Sequence, residues 1–224
     1  MGESGLIKGK INAAYIVKLA LLTALSFVLY MFGKFSLPFM FPFFLDMQFS
    51  ELPAILAGFS LGPISGVLVI VLKCLLKMPF SSTAFVGELI DIAIGIAYVL
   101  PASLIYWRQK SKKSAIIGFL VGTFCAVIAA LVLNRFVAIP FYVKLYFGGD
   151  FNIIVAICQK LYKNITAENF YAYYLGLAVL PFNMLRSSVV SLITFLVYKR
   201  LSVVLHWEKR PKINVSEETT NTKE

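Results

Sequence analysis

Two polar residues lie deep inside an apolar run in the last quarter of the chain. Asn183 and Arg186 are three residues apart within the run 174–198, so their side chains share one face of a helix. A helix over that run is about 37 Å long, which is enough to cross a hydrocarbon core of about 30 Å. Arg186 then falls near the middle of the bilayer, where an arginine must face protein, water or a ligand. Two roles fit it: pairing with a carboxylate on another helix, or donating hydrogen bonds to a ligand.

The other polar residues inside apolar runs fall towards the same side of the membrane. They are Lys73, Glu88, Asp91, Asn134 and Arg135. The opposite halves of the predicted helices are almost purely apolar, whereas a through-channel would carry polar side chains along its whole length. This distribution predicts a pocket that opens to the outside and is closed below. For Glu88 and Asp91, the alternative is that they lie in interfacial water and interact only with the helix N-terminal dipole.

The composition is that of an integral membrane protein. Hydrophobic residues make up 59% of the 224 residues and charged residues only 14%, with a mean hydropathy of +0.83. Soluble domains carry nearer a quarter charged residues. The net charge of +10 comes largely from cations at helix ends, without a basic stripe interleaved with aromatics, so nucleic-acid binding is excluded.

The sequence motifs favour neither a metal site nor enzymatic chemistry. The three cysteines, Cys74, Cys125 and Cys158, are isolated from one another, and the single histidine is His206. We therefore expect no metal site, no disulfide framework and no cofactor. The phosphate-loop, HExxH and GxSxG motifs are absent from the sequence, so we expect the chain not to be an enzyme or to use ATP by itself.

The apolar runs predict an all-α fold, a bundle of six transmembrane helices integral to the membrane. The helices are expected over roughly residues 13–32, 50–61, 63–76, 84–107, 114–139 and 174–201. They form one membrane domain, residues 1–207, which is followed by a polar cytoplasmic tail, residues 208–224. Lysines and arginines concentrate before the first helix, after the fourth and after the sixth, which places both termini on the cytoplasmic side.

Two loops are expected on the outside. Residues 33–50 are rich in proline, which excludes a regular helix, and in phenylalanine, which favours an interface or a ligand over water. Residues 140–172 have mixed polarity and are expected to form a long loop. At the end of the first loop, Ser50 followed by Glu51 and Pro53 has the pattern of a helix N-cap.

Small residues recur at four-residue spacing in two places. Ala20 and Ala24 form an AxxxA pattern on the first helix, and Gly58, Gly62 and Gly66 cross the turn between the second and third helices. Such faces let helices approach closely. The glycines are expected to pack inside the bundle, and the alternative for a small-residue face is docking of another membrane subunit.

Several motifs occur in a familiar order from the first predicted helix through the sixth. They are Phe49-Ser50-Glu51-Leu52-Pro53-Ala54, Leu61-Gly62-Pro63 with Gly66-Val67-Leu68, Gly87-Glu88-Leu89 with Gly95, Val99-Leu100-Pro101-Ala102-Ser103, and Pro181-Phe182-Asn183 with Ser191-Leu192 and Tyr198-Lys199-Arg200-Leu201. With these motifs the chain resembles the riboflavin-specific S components (the RibU type) of energy-coupling-factor (ECF) transporters. The resemblance leaves out the tail and most of residues 140–172.

The resemblance implies the substrate-binding subunit of an ECF-type ABC importer in a bacterial plasma membrane. Such a subunit captures riboflavin outside and delivers it through a membrane coupling subunit and two cytoplasmic ATPases, so riboflavin is a transported ligand rather than a cofactor. In this family the AxxxA face of the first helix contacts the coupling subunit, and here that face is Ala20 and Ala24. The family's binding residues correspond to Asn134 and Asn183.

The chain departs from the family pattern at three places. Arg186 stands where the family usually has lysine, Asn134-Arg135-Phe136 where it often has Asn-Tyr-Phe, and Ile90-Asp91 where it tends to have Ala-Asp or Ala-Asn. Arginine presents a wider planar fork of donors than lysine, so the site could admit a phosphorylated flavin.

The chemistry of a flavin assigns roles to the candidate site residues. Its pyrimidine edge alternates carbonyl acceptors with an N–H donor, and the carboxamides of Asn134 and Asn183 can read that edge. Arg186 can donate to a ring carbonyl or ring nitrogen. The phenylalanines of the first loop are expected to wall the apolar ring or cap the pocket. They are Phe35, Phe39, Phe41, Phe43 and Phe44, of which Phe39 and Phe43 are the main candidates. The ribityl hydroxyls need polar partners, and the candidates are Glu51, Glu88 and Asp91.

Three other functions stay open at this point. The ligand could be another vitamin or a flavin nucleotide such as FMN. The chain could be a proton-coupled secondary carrier that uses Glu88 and Asp91, although no inverted repeat or broken helix pair is evident. It could also be a membrane-embedded enzyme acting on a lipid, although a nucleophile–base set is not recognisable.

Overall fold

The computed structural model describes residues 12–205, with side chains up to residue 197, and is largely helical. The helices are Ala13–Phe32 (α1), Glu51–Ser60 (α2), Pro63–Lys77 (α3), Val86–Gln109 (α4), Lys112–Leu133 (α5), Ile139–Tyr146 (α6), Phe151–Gln159 (α7), Phe170–Tyr173 (α8) and Leu180–Leu205 (α9). A 3-10 turn, Met78–Phe80, extends α3. Two π-helical turns, Asn134–Ala138 and Tyr174–Val179, join α5 to α6 and α8 to α9. The predicted tail, residues 208–224, lies outside the described residues.

The prediction of a helical membrane bundle is confirmed only in part: the described residues are largely helical, but they include one short hairpin and show five rather than six long apolar helices. α1 has the predicted bounds, and α2, α3 and α4 lie close to theirs. Within residues 12–205, five helices are long and apolar enough to cross a membrane. α2 is apolar but has only 10 residues, about 15 Å, which is about half the thickness of the hydrocarbon core.

The fifth helix runs further than the sequence predicted. The prediction ends it at residue 139, before Pro140, whereas α5, the π-helical turn and α6 form one helical segment, Lys112–Tyr146. Pro140 is tolerated because it lies in the first turn of α6, directly after the wider π-helical turn, where its missing N–H breaks no regular ladder. Pro181 follows the second π-helical turn in the same way. α7 also lies inside the stretch predicted to be a loop, and α8 begins inside it.

The proline- and phenylalanine-rich segment between α1 and α2 forms an antiparallel hairpin. Its strands are Lys34–Ser36 (β1) and Asp46–Gln48 (β2), with Phe35 opposite Met47. Between the strands, Phe41 is buried against the ring of Phe182, with 5.3 Å between the ring centroids. The hairpin therefore packs on the start of α9.

Ser50 directly precedes α2, as predicted, but it does not cap that helix. Its backbone is helical (φ −66°, ψ −18°), and its side chain makes no capping hydrogen bond. Its buried hydroxyl instead accepts a hydrogen bond from Nζ of Lys73 at 2.5 Å. The N-cap prediction is wrong because the ammonium of Lys73 is fully buried and takes this hydroxyl as an acceptor.

Glycines bring α2, α3 and α4 into close contact, as their spacing predicted. A Cβ on Gly58 would lie 2.0 Å from Oγ of Ser103. A Cβ on Gly66 would lie 2.8 Å from the carbonyl oxygen of Ala54, which is backbone and cannot move aside. Gly62, at φ 129°, forms the turn between α2 and α3, in a region that favours glycine.

Substituting Gly66 by alanine should destabilise the bundle. The added methyl has no space against the backbone of α2, and overpacking of this kind costs about 1–3 kcal/mol. Gly176→Ala is the matched control, because nothing lies within 4 Å of a Cβ at that position. The measurement is the unfolding midpoint of each variant in detergent, and equal midpoints for the two variants would contradict the packing described.

Candidate ligand-binding site

Three polar residues singled out from the sequence line one cavity at the hairpin end of the bundle. Asn134, Asn183 and Arg186 meet there, and the cavity volume is about 200 Å³. The other lining residues come from α1, the hairpin, α3, the turn before α4, α4, the first π-helical turn, α6 and α9. They are Tyr30, Lys34, Phe44, Leu45, Asp46, Gln48, Lys77, Ser82, Thr83, Gly87, Glu88, Ile90, Asp91, Ile94, Ala138, Tyr142 and Phe182.

Asp91 is the centre of a buried ionic network beside this cavity. Its carboxylate accepts hydrogen bonds from Nζ of Lys73 at 2.9 Å and from Nη2 of Arg186 at 2.9 Å. It also accepts one from Nε2 of Gln48 at 2.7 Å. Nη2 of Arg186 donates to Oε1 of Glu51 as well. The network joins α2, α3, α4, α9 and β2, and carboxylate pairing is therefore one role that Arg186 has in the structure.

Glu88 organises a second buried cluster on the same face of α4. Nζ of Lys77 lies 3.2 Å from its Oε1, while the hydroxyls of Ser81 and Thr83 donate to its Oε2 at 2.7 Å and 3.1 Å. Glu88 is 3% exposed and Asp91 5% exposed. The alternative that places these two acids in interfacial water is therefore wrong, because both are neutralised inside the protein.

The charges around the cavity balance. The buried acids Glu51, Glu88 and Asp91 are matched by buried cations, which are Lys73, Lys77 and Arg186. Nearer the solvent, Nζ of Lys34 lies 3.5 Å from Oδ2 of Asp46, and both side chains are about half exposed. Each cation among the described lining residues thus has a carboxylate partner, so the cavity offers a ligand hydrogen bonds rather than net charge.

The two cavity asparagines are anchored to their own helices. Nδ2 of Asn134 donates to the carbonyl of Ala130, and Nδ2 of Asn183 donates to the carbonyl of Val179, both at 2.8 Å. Oδ1 of Asn134 accepts a hydrogen bond from the hydroxyl of Tyr174 at 2.9 Å. Asn134 and Tyr174 are the first residues of the two π-helical turns. Turns of this kind are rare and frequently occur at functional sites.

The aromatic lining matches the sequence-based expectation only in part. Phe39 and Phe43 are 73% and 60% exposed and do not line the cavity in this conformation. Of the five phenylalanines expected there, Phe44 lines the cavity, together with Tyr142 and Phe182. The segment between the strands has no regular period, so sequence alone does not tell which of two adjacent phenylalanines points inwards.

Glu51 lies below the cavity rather than in its wall. With Arg186, Asn183 and Tyr98 it lines a separate void of about 10 Å³. Its Oε2 atom is buried without a hydrogen-bond partner among the described residues.

Two residues that complete the site, Gln48 and Tyr174, were not predicted from the sequence, and Lys73 was named without a partner. Gln48 and Lys73 hold Asp91, and Tyr174 holds Asn134. Lys73 was visible as a lysine within an apolar helix, but its partner was not. Tyr174 carried no signal, because tyrosines at helix ends are common at membrane interfaces.

Comparison with protein families and known proteins gives one consistent result. Residues 14–198 match the family model described as "ECF transporter, substrate-specific component". The chain is 33% identical over 187 residues to "Riboflavin transporter RibU" of Staphylococcus aureus (strain TCH60), covering 84% of this chain and 89% of that protein. It is 24% identical to "Riboflavin transporter FmnP" of Bacillus subtilis (strain 168), covering 89% and 97%.

A solved structure has the same fold. It is described as the S component of a bacterial ECF transporter, is 32% identical in sequence and superposes with a TM-score of 0.64. The match covers 88% of this chain and 98% of that chain.

Removing the ammonium of Lys73 should destabilise the protein strongly. Lys73→Met leaves Asp91 with one cationic partner fewer in a buried site, and breaking a buried pair costs about 3–5 kcal/mol. Lys34→Met removes the exposed pair with Asp46 and should cost about 0–1 kcal/mol. Unfolding midpoints in detergent compare the two variants, and a Lys73→Met midpoint no lower than that of Lys34→Met would refute the central role of the network.

Proposed function

Because the chain belongs to the family of ECF transporter substrate-specific components, we propose that it captures riboflavin from outside the cell for import. As a member of this family it is a substrate-binding S component and a multi-pass plasma-membrane protein, and the family is a transporter component rather than an enzyme. The observation that carries the riboflavin proposal is the single cavity shared by Asn134, Asn183 and Arg186. The relatives named as riboflavin transporters support it.

The cavity chemistry suits a flavin. An isoalloxazine ring is a large apolar plane with one polar edge, and ligand sites are mostly apolar with a few placed polar groups. Phe44, Ile94 and Phe182 supply apolar wall, while Asn134 and Asn183 supply amides for the pyrimidine edge. The candidate partners of the ribityl chain remain Glu51, Glu88 and Asp91, of which Glu88 and Asp91 line the cavity.

Binding requires the hairpin to adjust. The cavity of about 200 Å³ is smaller than the range of about 300–1,000 Å³ typical of ligand pockets. The segment between β1 and β2 carries Phe39 and Phe43 on its exposed side. In this proposal the segment moves outwards to admit riboflavin, and Phe39 and Phe43 then cover the occupied cavity.

The membrane arrangement is proposed from charge and from the exposed face of α1. Both termini face the cytoplasm and the hairpin faces outside, with α2 and α3 completing six helices in a domain of residues 1–207 and a cytoplasmic tail at 208–224. Ala20 and Ala24 lie on a face of α1 that is exposed in the isolated chain. Its larger residues are Ile16, Val17, Leu21, Leu25 and Val28. This face docks on the membrane coupling subunit, which works with two cytoplasmic ATPases, and riboflavin is the transported ligand rather than a cofactor.

The paired charges bear on the alternative functions. Glu88 and Asp91 are held in ion pairs with Lys77 and Lys73, which disfavours them as the proton carriers of a secondary transporter. Arg186 is already shared between Glu51 and Asp91, so it is not a spare cation for a phosphate. We therefore favour riboflavin over FMN as the ligand.

Asn183→Ala should weaken riboflavin binding by about 1–3 kcal/mol, because a polar ligand atom in the closed cavity loses its partner. The measurement is a titration that follows the quenching of riboflavin fluorescence by the purified protein. Asn152→Ala, which changes an exposed asparagine of α7, is the control and should bind like the unmodified protein. An unmodified protein that neither co-purifies with flavin nor quenches riboflavin fluorescence would refute the proposed function.

FMN should bind more weakly than riboflavin, because its phosphate would lose hydration beside cations that are already paired. Asp46→Asn removes the carboxylate partner of Lys34 at the mouth of the cavity. It should reduce the ratio of the FMN and riboflavin dissociation constants by a factor of about two to five. Glu168→Gln removes the same charge from an exposed position outside the cavity and should leave the ratio unchanged. Competition titrations measure this ratio. FMN binding as tightly as riboflavin would contradict the proposed preference for the uncharged flavin.

A further inference from the structure

The hydrogen bonds of the two cavity asparagines make them chemically unequal. One N–H of Asn134 donates to the carbonyl of Ala130, and its carbonyl oxygen accepts from the hydroxyl of Tyr174. This leaves one N–H of Asn134 for the cavity. Asn183 uses one N–H on Val179, and no donor among the described residues contacts its Oδ1. Asn183 therefore retains both an N–H and a carbonyl oxygen for a ligand.

The orientation of the Asn134 amide is fixed from both ends. The carbonyl of Ala130 can only accept a hydrogen bond, so the nitrogen of the amide must face it. The oxygen must then face the hydroxyl of Tyr174, which serves as donor at 2.9 Å. A rotated amide would place N–H against Tyr174 and oxygen against oxygen at Ala130.

Tyr174 is held firmly enough to set this orientation. Its side chain is completely buried. Its ring stacks on that of Phe170, with 5.3 Å between the ring centroids, and packs against that of Phe44, with 6.0 Å between the centroids. The bond to Asn134 connects the first residues of the two π-helical turns, so it also fixes the segment before α6 against the segment before α9. A buried tyrosine hydroxyl normally has a partner, and the partner given by the structure is this amide.

We propose that Tyr174 is a specificity-determining residue that positions Asn134 rather than touching the ligand. With Asn134 restricted to donating, the two amides together offer two donors and one acceptor. That set complements a ligand edge of two carbonyls flanking an N–H, which is the pyrimidine edge of a flavin or another cyclic imide. A ligand with an amino group in place of the carbonyl at Asn134 would meet a second donor and be rejected. This inference rests on the proposed function.

The test is a double-mutant cycle on riboflavin binding, measured by fluorescence quenching. Tyr174→Phe keeps the buried ring but leaves the amide of Asn134 anchored by Ala130 alone and its Oδ1 without a donor, and should weaken binding roughly tenfold or more, the scale of one unmet buried acceptor. In an Asn134→Ala background the same change should weaken binding less than about twofold, because Tyr174 acts through Asn134. Tyr98→Phe, which also removes a buried hydroxyl, should weaken binding by the same small factor with and without Asn134→Ala.

The outcomes of the cycle distinguish the role of Tyr174 from the proposed function. Equal losses from Tyr174→Phe in both backgrounds, or no loss in either, overturn the role assigned to Tyr174 while riboflavin binding by the unmodified protein still supports the proposed function. Absence of binding by the unmodified protein refutes the proposed function itself. Should Tyr174→Phe not fold, Asn134→Asp replaces it: the carboxylate still accepts from Tyr174 but has no N–H, so riboflavin binding close to that of the unmodified protein overturns the inference.

Discussion

Buried charge inside a membrane protein is the constraint on which the rest of this structure depends. An ionised group removed from water loses several kcal/mol of solvation, which only well-placed partners restore. Among the described residues around the cavity, each acid is paired with a cation. Asp91 accepts hydrogen bonds from α3, α9 and β2. The position of the hairpin over the helices follows from this, because Gln48 of β2 is one of the donors to Asp91.

The same constraint explains which features were predictable from the sequence. The bounds of α1 follow from an apolar run, and the close approach of α2, α3 and α4 follows from glycine spacing. That Asn134, Asn183 and Arg186 line one cavity follows from a single rule, that polar groups in apolar helices face the protein interior. The choice of partners was not predictable, because it depends on helix tilt and rotation. Ser50 illustrates this: a distant lysine decides its role, and the local capping rule does not.

The π-helical turns show a second limit of local rules. The predicted fifth helix ends at residue 139, but the chain continues as a helix through Pro140 after a wider turn. The same solution occurs before Pro181, so two neighbouring segments are widened at one level of the bundle. Widening changes which side chains face inwards, and here it brings Tyr174 of one turn onto Asn134 of the other. Periodicity of 3.6 residues cannot reveal that contact, since the turns interrupt the period itself.

The charged residues and the amides of the site have different roles. Because the charged side chains already satisfy one another, an entering ligand gains no net charge from them, although their carboxylates can still accept hydrogen bonds. In the proposed function, affinity comes from burying an apolar ring, at about 25 cal/mol per Å² of apolar surface, and selectivity comes from the amides that retain unused hydrogen-bonding groups. This division also accounts for the arginine at position 186. Its guanidinium supplies positive charge to Asp91 and Glu51 and reaches both carboxylates at once.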